Sequence, residues 1–468
     1  MNRQPLVMKF GGTSVEDARA FERVCQIVQA RKDFLPVVVV SAMSKVTDAL
    51  LWAAQKAAAG DWEEGLRSLD AHFQRHLTVA GELLNASERA HFESLIETTR
   101  SNVAILLGAI VKQQQPFALL QDALVATGEL LSSNLLAAAL RAKELPARFV
   151  DSRRCVITDE AYGRATPLME KTEEKTRENV LPLLNDGKLP VMGGFIASTN
   201  DGATTTLGRG GSDFTAAIIG ACLDVQEIQI WTDVPGVMTA DPRVVKAART
   251  IPRLSFDEAA ELAFFGAKVL HPKTILPAVE RNIPVRICDS RAPEAAGTIV
   301  YHDAEMTPRT VKAIAHKTGV HILSVTQPRM LGAYGFLRAI FEVFERHQTI
   351  VDVVTTSEVS VSLSLDDTSA LAEIIKDLEQ NVGQVKVEKA RAIICVVGEG
   401  LRNTSGIAGL LFSTIRDINV LLISQGASSI NLTFVIEEAH APEAVRLLHG
   451  AFFEQAEGEL SSRAGGGH

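Results

Sequence analysis

The chain has 468 residues, with 47 Lys and Arg against 56 Asp and Glu, a net charge of -9. That length exceeds one ordinary core, so several domains are expected, and the mild, distributed acidity argues against a nucleic-acid or anionic-membrane partner. Small molecules are the expected ligands.

Cys25, Cys155, Cys222, Cys288 and Cys395 stand apart in apolar surroundings, with no CxxC and no Cys/His pairing. Neither a metal site nor a disulfide framework is expected, and buried thiols fit a reducing compartment. Residues 5–10 read at once as a strand, which leaves no room for a signal peptide, and the apolar run at 103–111 is short for a membrane span. A cytoplasmic protein is expected.

In chain order, an apolar strand at 6–10 leads into Gly11, Gly12, Thr13 and Ser14 and then a helix from about 17 to 32. Residues 36–41 (PVVVVS) are apolar throughout, as a parallel strand covered on both faces would be, and Ser41, Ser44, Lys45 and Thr47 follow. Residues 61–115 carry helical periodicity and read as a helical insertion. The ATGE at 126–129 is expected to open a Leu/Ala-rich helix, with Glu129 in its first turn. Short strands are expected at 147–150 and 155–158, and a helix at 171–186.

The stretch at 191–213, VMGGFIASTNDGATTTLGRGGSD, sets glycines and hydroxyls behind a short strand and runs into a helix. Such a backbone can approach a ligand closely, and amides at a helix start favour anions. Ser212 and Asp213 sit where N-cap residues belong, and Arg209 offers a planar fork for a carboxylate or phosphate. Strands at 227–232, 284–288 and 298–301 complete the pattern. Each polar turn follows a strand, so an open, mainly parallel α/β sheet is expected, with its ligand beyond the carboxyl ends of the strands.

From about residue 311 the pattern becomes β, α, β, β, given by 322–325, 335–347, 350–356 and 359–365. It recurs at 393–397, 405–417, 420–425 and 430–436. Paired βαββ modules of this kind are ferredoxin-like, and they tend to bury strand edges against each other or across a dimer. The tail at 458–468 is expected to be disordered.

No GxxxxGK[ST] is present, and Gly398 and Gly400 lack a third glycine for a dinucleotide fingerprint. Lys9, at the end of a strand and before Gly11 and Gly12, instead places an ammonium beside a phosphate-sized nest of amides.

KFGGTSV at 9–15, ATGE at 126–129, LGRGGSD at 207–213, WTDVPGVMTADPR at 231–243, GAKVLHP at 266–272 and TTSEVSVSL at 355–363 together resemble aspartate kinase, in the single-function, lysine-sensitive class with two C-terminal ACT modules. The resemblance implies an amino-acid kinase domain over 1–303 (insertion 61–115), ACT modules at 304–390 and 391–457, and a tail at 458–468. It implies ATP- and magnesium-dependent phosphorylation of L-aspartate at its β-carboxylate, feedback by L-lysine and a homodimer through the ACT modules. Lys9 and Asp213 would be catalytic, and Thr47, Glu129, Phe195, Arg209 and Ser212 would hold aspartate, with Arg209 on a carboxylate and Glu129 on the ammonium. Lys9, Gly11, Gly12, Thr232, Asp233, Met238, Arg243 and Lys268 would contact the nucleotide; no residue is assigned as a standing metal ligand. Met330, Gly335, Phe336, Leu337, Asp352, Ser357, Glu358 and Val359 match the lysine-site pattern. Met238 stands where an aromatic residue is usual, and Ala333 where a serine is. Glutamate kinase and a non-catalytic amino-acid sensor are the alternatives; the ACT repeat weighs against the first, and the presence of Lys9, Glu129, Arg209 and Asp213 against the second.

Overall fold

The structure, a computed structural model, describes residues 4–266, 270–302, 310–328, 334–426 and 428–454. The expected disordered tail at 458–468 lies outside them. The chain forms two compact units, and the division is not a single cut near 303. Met1–Val237, Pro252–Phe256 and Val269–Asp303 make the first unit, while Met238–Ile251 and Asp257–Lys268 belong with Ala304–His468 in the second.

The first part of the chain runs β1 (Leu6–Phe10), α1 (Ala18–Ala30), β2 (Pro36–Val40), α2 (Val46–Ala58), α3 (Trp62–Ser68), α4 (Asp70–Leu83), α5 (Ala86–Val111), α6 (Phe117–Ala142), β3 (Ala147–Val150), α7 (Met169–Asn185), β4 (Leu189–Gly193), β5 (Ile196–Ser198), β6 (Thr204–Thr206), α8 (Gly211–Leu223), β7 (Glu227–Thr232), β8 (Arg253–Ser255), α9 (Phe256–Phe264), α10 (Leu276–Glu280), β9 (Val285–Asp289) and β10 (Thr298–Tyr301). Eight strands form one sheet in the order β3-β4-β2-β1-β7-β9-β10-β8. The strands from β3 to β9 are parallel to their neighbours, and β10 runs antiparallel to β9. Strands β1 and β2 are buried at every position, because apolar side chains serve both faces. Chain order reverses at β1, with β2 on one side and β7 on the other. A crevice opens at such a point, beyond the carboxyl ends of the strands.

Three sequence expectations differ here. Glu129 is not in a first turn: α6 begins after Pro116, and Glu129 lies mid-helix. At Gly128 the helix packs closely, since a Cβ there would stand 3.0 Å from Ala42 Cβ. Ser212 and Asp213 are not N-caps; Gly210, at φ 72°, holds that position, and they fall in the first turn of α8. No strand forms at 155–158, only isolated bridges from Ile157 to Ser198 and from Thr158 to Pro167.

The insertion is helical, as α3, α4 and α5. Helices α5 and α6 are long and apolar enough to cross a bilayer by length and composition. In this fold α6 is a buried core helix, and α5 carries Arg100 in an ion pair with Asp70.

The second unit contains β11 (Ala313–Thr326), α11 (Phe336–Arg346), β12 (Val354–Thr356), β13 (Ser360–Leu365), α12 (Leu371–Asn381), β14 (Gln384–Val397), α13 (Ile407–Thr414), β15 (Val420–Gln425), β16 (Asn431–Glu437) and α14 (Ala441–His449). The two βαββ modules share one antiparallel sheet, ordered β12-β13-β11-β14-β16-β15, with the long strands β11 and β14 paired at its centre. The second half of β11 packs in the first module's core with Ile340, Phe344 and Leu363. Val311 and Ile314, at its start, pack in the second module's core with Phe434 and Leu448, and so do Ala240 and Val245.

Candidate active site

The site is assembled at the carboxyl edge of β1, β2, β4 and β7. Backbone hydrogen bonds bind the turns together: Gly11 N donates to Trp231 O at 3.1 Å, Ser44 N to Gly12 O at 3.2 Å, and Gly194 N to Val40 O at 2.9 Å. Lys9, 9 % exposed, extends from β1 so that its Nζ lies 2.6 Å from Asp213 Oδ1. The contact is a charge pair set off the hydrogen-bonding axis. The same Nζ stands 3.7 Å from where a Gly11 Cβ would be, so the ammonium lies directly over the glycine turn.

Glu129 is 3 % exposed. Its Oε1 accepts from Ala42 N at 3.2 Å, while Oε2 is buried without a partner. Burial pushes the carboxyl up to about 8, against the lowering effect of the Ala42 amide. That shift favours the protonated carboxyl around neutral pH. A cation reaching Oε2 would supply the missing partner and drive that proton off.

Two close approaches join Glu129 to Asp213. A Cβ on Gly193 would meet Glu129 Cβ at 3.0 Å, and a Cβ on Gly194 would meet Ser212 Cβ at 2.6 Å. Phe195 takes a left-handed φ of 66°, and its N donates to Thr215 Oγ1 at 2.9 Å. Gly211 accommodates the ring, whose Cδ2 would lie 2.6 Å from a Cβ there. Lys9, Gly11, Glu129, Phe195, Ser212 and Asp213 thus form one contiguous group. Thr47 is half-buried in the first turn of α2. Arg209 is exposed and has no hydrogen-bond or ion-pair partner among the described residues, which leaves its guanidinium open to an anion.

Thr232 and Asp233 end β7 on the same edge. Met238 and Arg243 belong to the second unit, and the Arg243 guanidinium is taken up by Asp241 at 2.7–3.1 Å. Lys268 lies outside the described residues, as do Met330 and Ala333.

In the first βαββ module Gly335, at φ 84°, caps α11, with Phe336 and Leu337 in its first turn. Ser357 closes the β12–β13 turn, and Glu358 and Val359 are exposed beside it. Asp352 differs from its neighbours in that both of its oxygens already face Lys317 Nζ, at 3.0 and 3.2 Å.

Sequence reasoning missed several supports. Arg75 in α4 donates to Ser44 O at 2.6 Å, tying the insertion to the hydroxyl turn. Ser290 donates to Thr232 O at 2.9 Å and accepts from Ser14 Oγ at 3.1 Å. An arginine inside a helix of mixed pattern carries no local signal, nor does a lone serine after a strand.

The amino acid kinase family model matches residues 4–289, and an ACT domain model matches 394–452. The lysine-sensitive aspartokinase 3 of Escherichia coli is 38% identical over 96% of this chain and 99% of its own length. The chain belongs to the aspartokinase family. The chloroplastic aspartokinase 1 of Arabidopsis thaliana is also 38% identical, over 96% of this chain and 81% of its own. Among solved structures, E. coli aspartokinase III in complex with aspartate and ADP matches with TM-score 0.81, and the same enzyme in complex with lysine and aspartate with TM-score 0.82; each is 38% identical and covers 96% of this chain and 100% of that one.

Proposed function

We propose that this aspartokinase-family chain transfers the γ-phosphoryl group of ATP to the β-carboxylate of L-aspartate, giving 4-phospho-L-aspartate for the lysine, threonine and methionine routes, and that L-lysine inhibits it. The observation that carries the reading is Lys9, held by Asp213 over the Gly11 turn at the end of the central strand. The aspartate complexes of the related E. coli enzyme support the substrate, and its lysine complex supports the effector.

The chemistry suits these residues. A free aspartate side chain, with a pKa of ~3.9, is ionised at neutral pH, so its oxygen attacks phosphorus without a general base. The new P–O bond forms as the bond to the β-phosphate bridging oxygen breaks, and that electron pair leaves on ADP. No proton moves between the reactants. What remains for the protein is positioning and cationic stabilisation. Lys9 faces the transferring group, with the Gly12 amide beside it; the Gly11 amide, expected to serve the phosphoryl group as well, is instead committed to Trp231 O. Arg209 pairs with the substrate α-carboxylate, and Glu129 Oε2 receives its ammonium. Thr47, Phe195 and Ser212 complete the pocket.

A magnesium ion would be carried mainly by the nucleotide phosphates, with Asp213 the residue to touch its shell. Magnesium would neutralise charge on the phosphates. Thr232, Asp233, Met238, Arg243 and Lys268 are assigned to the nucleotide by family resemblance. The exposed edge strand β12 supports a homodimer through the ACT modules. A cytoplasmic location is the reading that five free, buried cysteines support, as suits a reducing compartment.

ADP release with L-aspartate, D-aspartate and L-glutamate tests the reading. Turnover restricted to L-aspartate and dependent on magnesium is expected; preference for L-glutamate would replace the substrate.

A further inference from the structure

This inference rests on the reading that Asp352 serves an amino-acid effector, and it concerns Lys317, to which that reading gives no part. Lys317 Nζ lies 3.2 Å from Asp352 Oδ1 and 3.0 Å from Oδ2. The Asp352 side chain is 2% exposed, so solvent does not reach an open oxygen. The same ammonium lies 2.6 Å from Asp366, whose side chain is 42% exposed, and 5.2 Å from the centre of the Phe264 ring.

One ammonium therefore serves two carboxylates of unequal burial. A cation arriving from solvent reaches Asp352 by replacing Lys317, because the side chain is covered and the Lys317 ammonium lies against both of its oxygens. Leaving Asp352 bare is costly, since removing one partner of a buried charge pair strands the other. Exchange of one ammonium for another avoids that cost. Asp366 supplies the second requirement: it already touches Lys317 and faces water, so the displaced lysine keeps a partner. Regular pairing of β11 with β14 is interrupted between Lys317 and Val320, the part of the strand that carries this side chain.

We infer that Lys317 is a tethered competitor for the effector's ammonium subsite, filling Asp352 in the free protein and shifting onto Asp366 when an amino acid with a side-chain ammonium binds. A competitor on the same chain acts at a fixed, high effective concentration. The fraction of molecules with Asp352 vacated then scales the apparent effector affinity, so the strength of the Lys317 contact sets the concentration at which inhibition begins. An effector with an uncharged side chain cannot make the exchange.

The test is calorimetric titration of L-lysine into the full-length protein and its Lys317→Met, Asp366→Asn, Lys317→Met/Asp366→Asn and Asp352→Asn variants. Lys317→Met removes the competitor and should tighten L-lysine binding about fivefold or more, whereas Asp366→Asn removes the retreat and should weaken it by a similar factor. In the Lys317→Met background Asp366→Asn should have little further effect, because Asp366 acts through Lys317. A purely structural role would make both single variants bind more weakly, and that result overturns the inference. So does an Asp366→Asn protein with unchanged affinity, which decides the matter even where Lys317→Met does not fold. Failure of the underlying reading looks different: L-lysine does not bind the unaltered protein, or binds Asp352→Asn equally well.

Discussion

Gly194 and Ser212 approach so closely that a Cβ at position 194 would stand 2.6 Å from Ser212 Cβ and 2.8 Å from its Oγ. The turn after β4 and the first turn of α8 are fitted to each other through a missing side chain. Gly194→Ala forces α8 or the turn to move, at a cost of about 1–3 kcal/mol for overpacking. It should lower the melting temperature and raise the aspartate KM, since Ser212 and Phe195 shift together. A variant that matches the unaltered protein in both thermal melts and aspartate titrations would show that the contact is slack.

Glu129 makes the ligand-free protein sensitive to pH. Its folded pKa, about 8, lies above the ordinary 4.5, so the folded state binds the extra proton. Its contribution to stability is full below about 4.5 and is lost as pH rises towards 8. Melting temperature without ligand should therefore fall across that window, and Glu129→Gln should flatten the slope. Aspartate binding should behave oppositely, because its ammonium needs the ionised form: the aspartate KM should fall as pH rises from 6 to 8. A KM that is flat over this range in the unaltered enzyme would dissociate Glu129 from the ammonium.

Lys9 and Arg209 should separate kinetically. In the proposed role Lys9 would face charge that develops during transfer, so Lys9→Met should reduce kcat by orders of magnitude with a smaller change in aspartate affinity. Arg209 is exposed and without a partner among the described residues, and in the proposed role it would grip a carboxylate present in both ground and transition states. Arg209→Ala should chiefly raise the aspartate KM, and steady-state kinetics over both substrates distinguish the two patterns.

Arg75 reaches from the helical insertion to Ser44 O at 2.6 Å. Its removal should loosen the Ser41–Thr47 turn and raise the aspartate KM several-fold, with the second unit's L-lysine affinity unchanged. Arg75→Lys should rescue only in part, because the short ammonium reach and different fork geometry do not reproduce the contact. Equal loss of both ligands would indicate general unfolding instead.

Much of the fold was legible because its signals are local. The wholly apolar runs of β1 and β2 announce buried parallel strands, and the glycine turns after them announce the binding edge. Lys9 was legible for the same reason, as a charge ending such a run. Glu129 was expected in a first turn and lies mid-helix, because the packing of Gly128 against Ala42 that places this part of α6 inside is a long-range fact. The Gly210 cap was missed because Ser212 and Asp213 are themselves good capping residues. Lys317 was not legible at all: its partner Asp352 lies 35 residues away on another part of the module. The placement of 238–251 with the second unit was equally hidden, since Ala240 and Val245 look like any loop residues until they meet Phe434 and Leu448.

In the proposed function the Lys9–Asp213 edge makes an acyl phosphate on aspartate. Hydroxylamine converts such a product to β-aspartyl hydroxamate, which is measured with ATP, magnesium and L-aspartate for the unaltered protein and for Lys9→Met. Hydroxamate formation equal to ADP release in the unaltered protein, and nearly abolished in Lys9→Met while calorimetry still shows aspartate binding, is the predicted result. ADP release without hydroxamate, or hydroxamate formed undiminished by Lys9→Met, would contradict it.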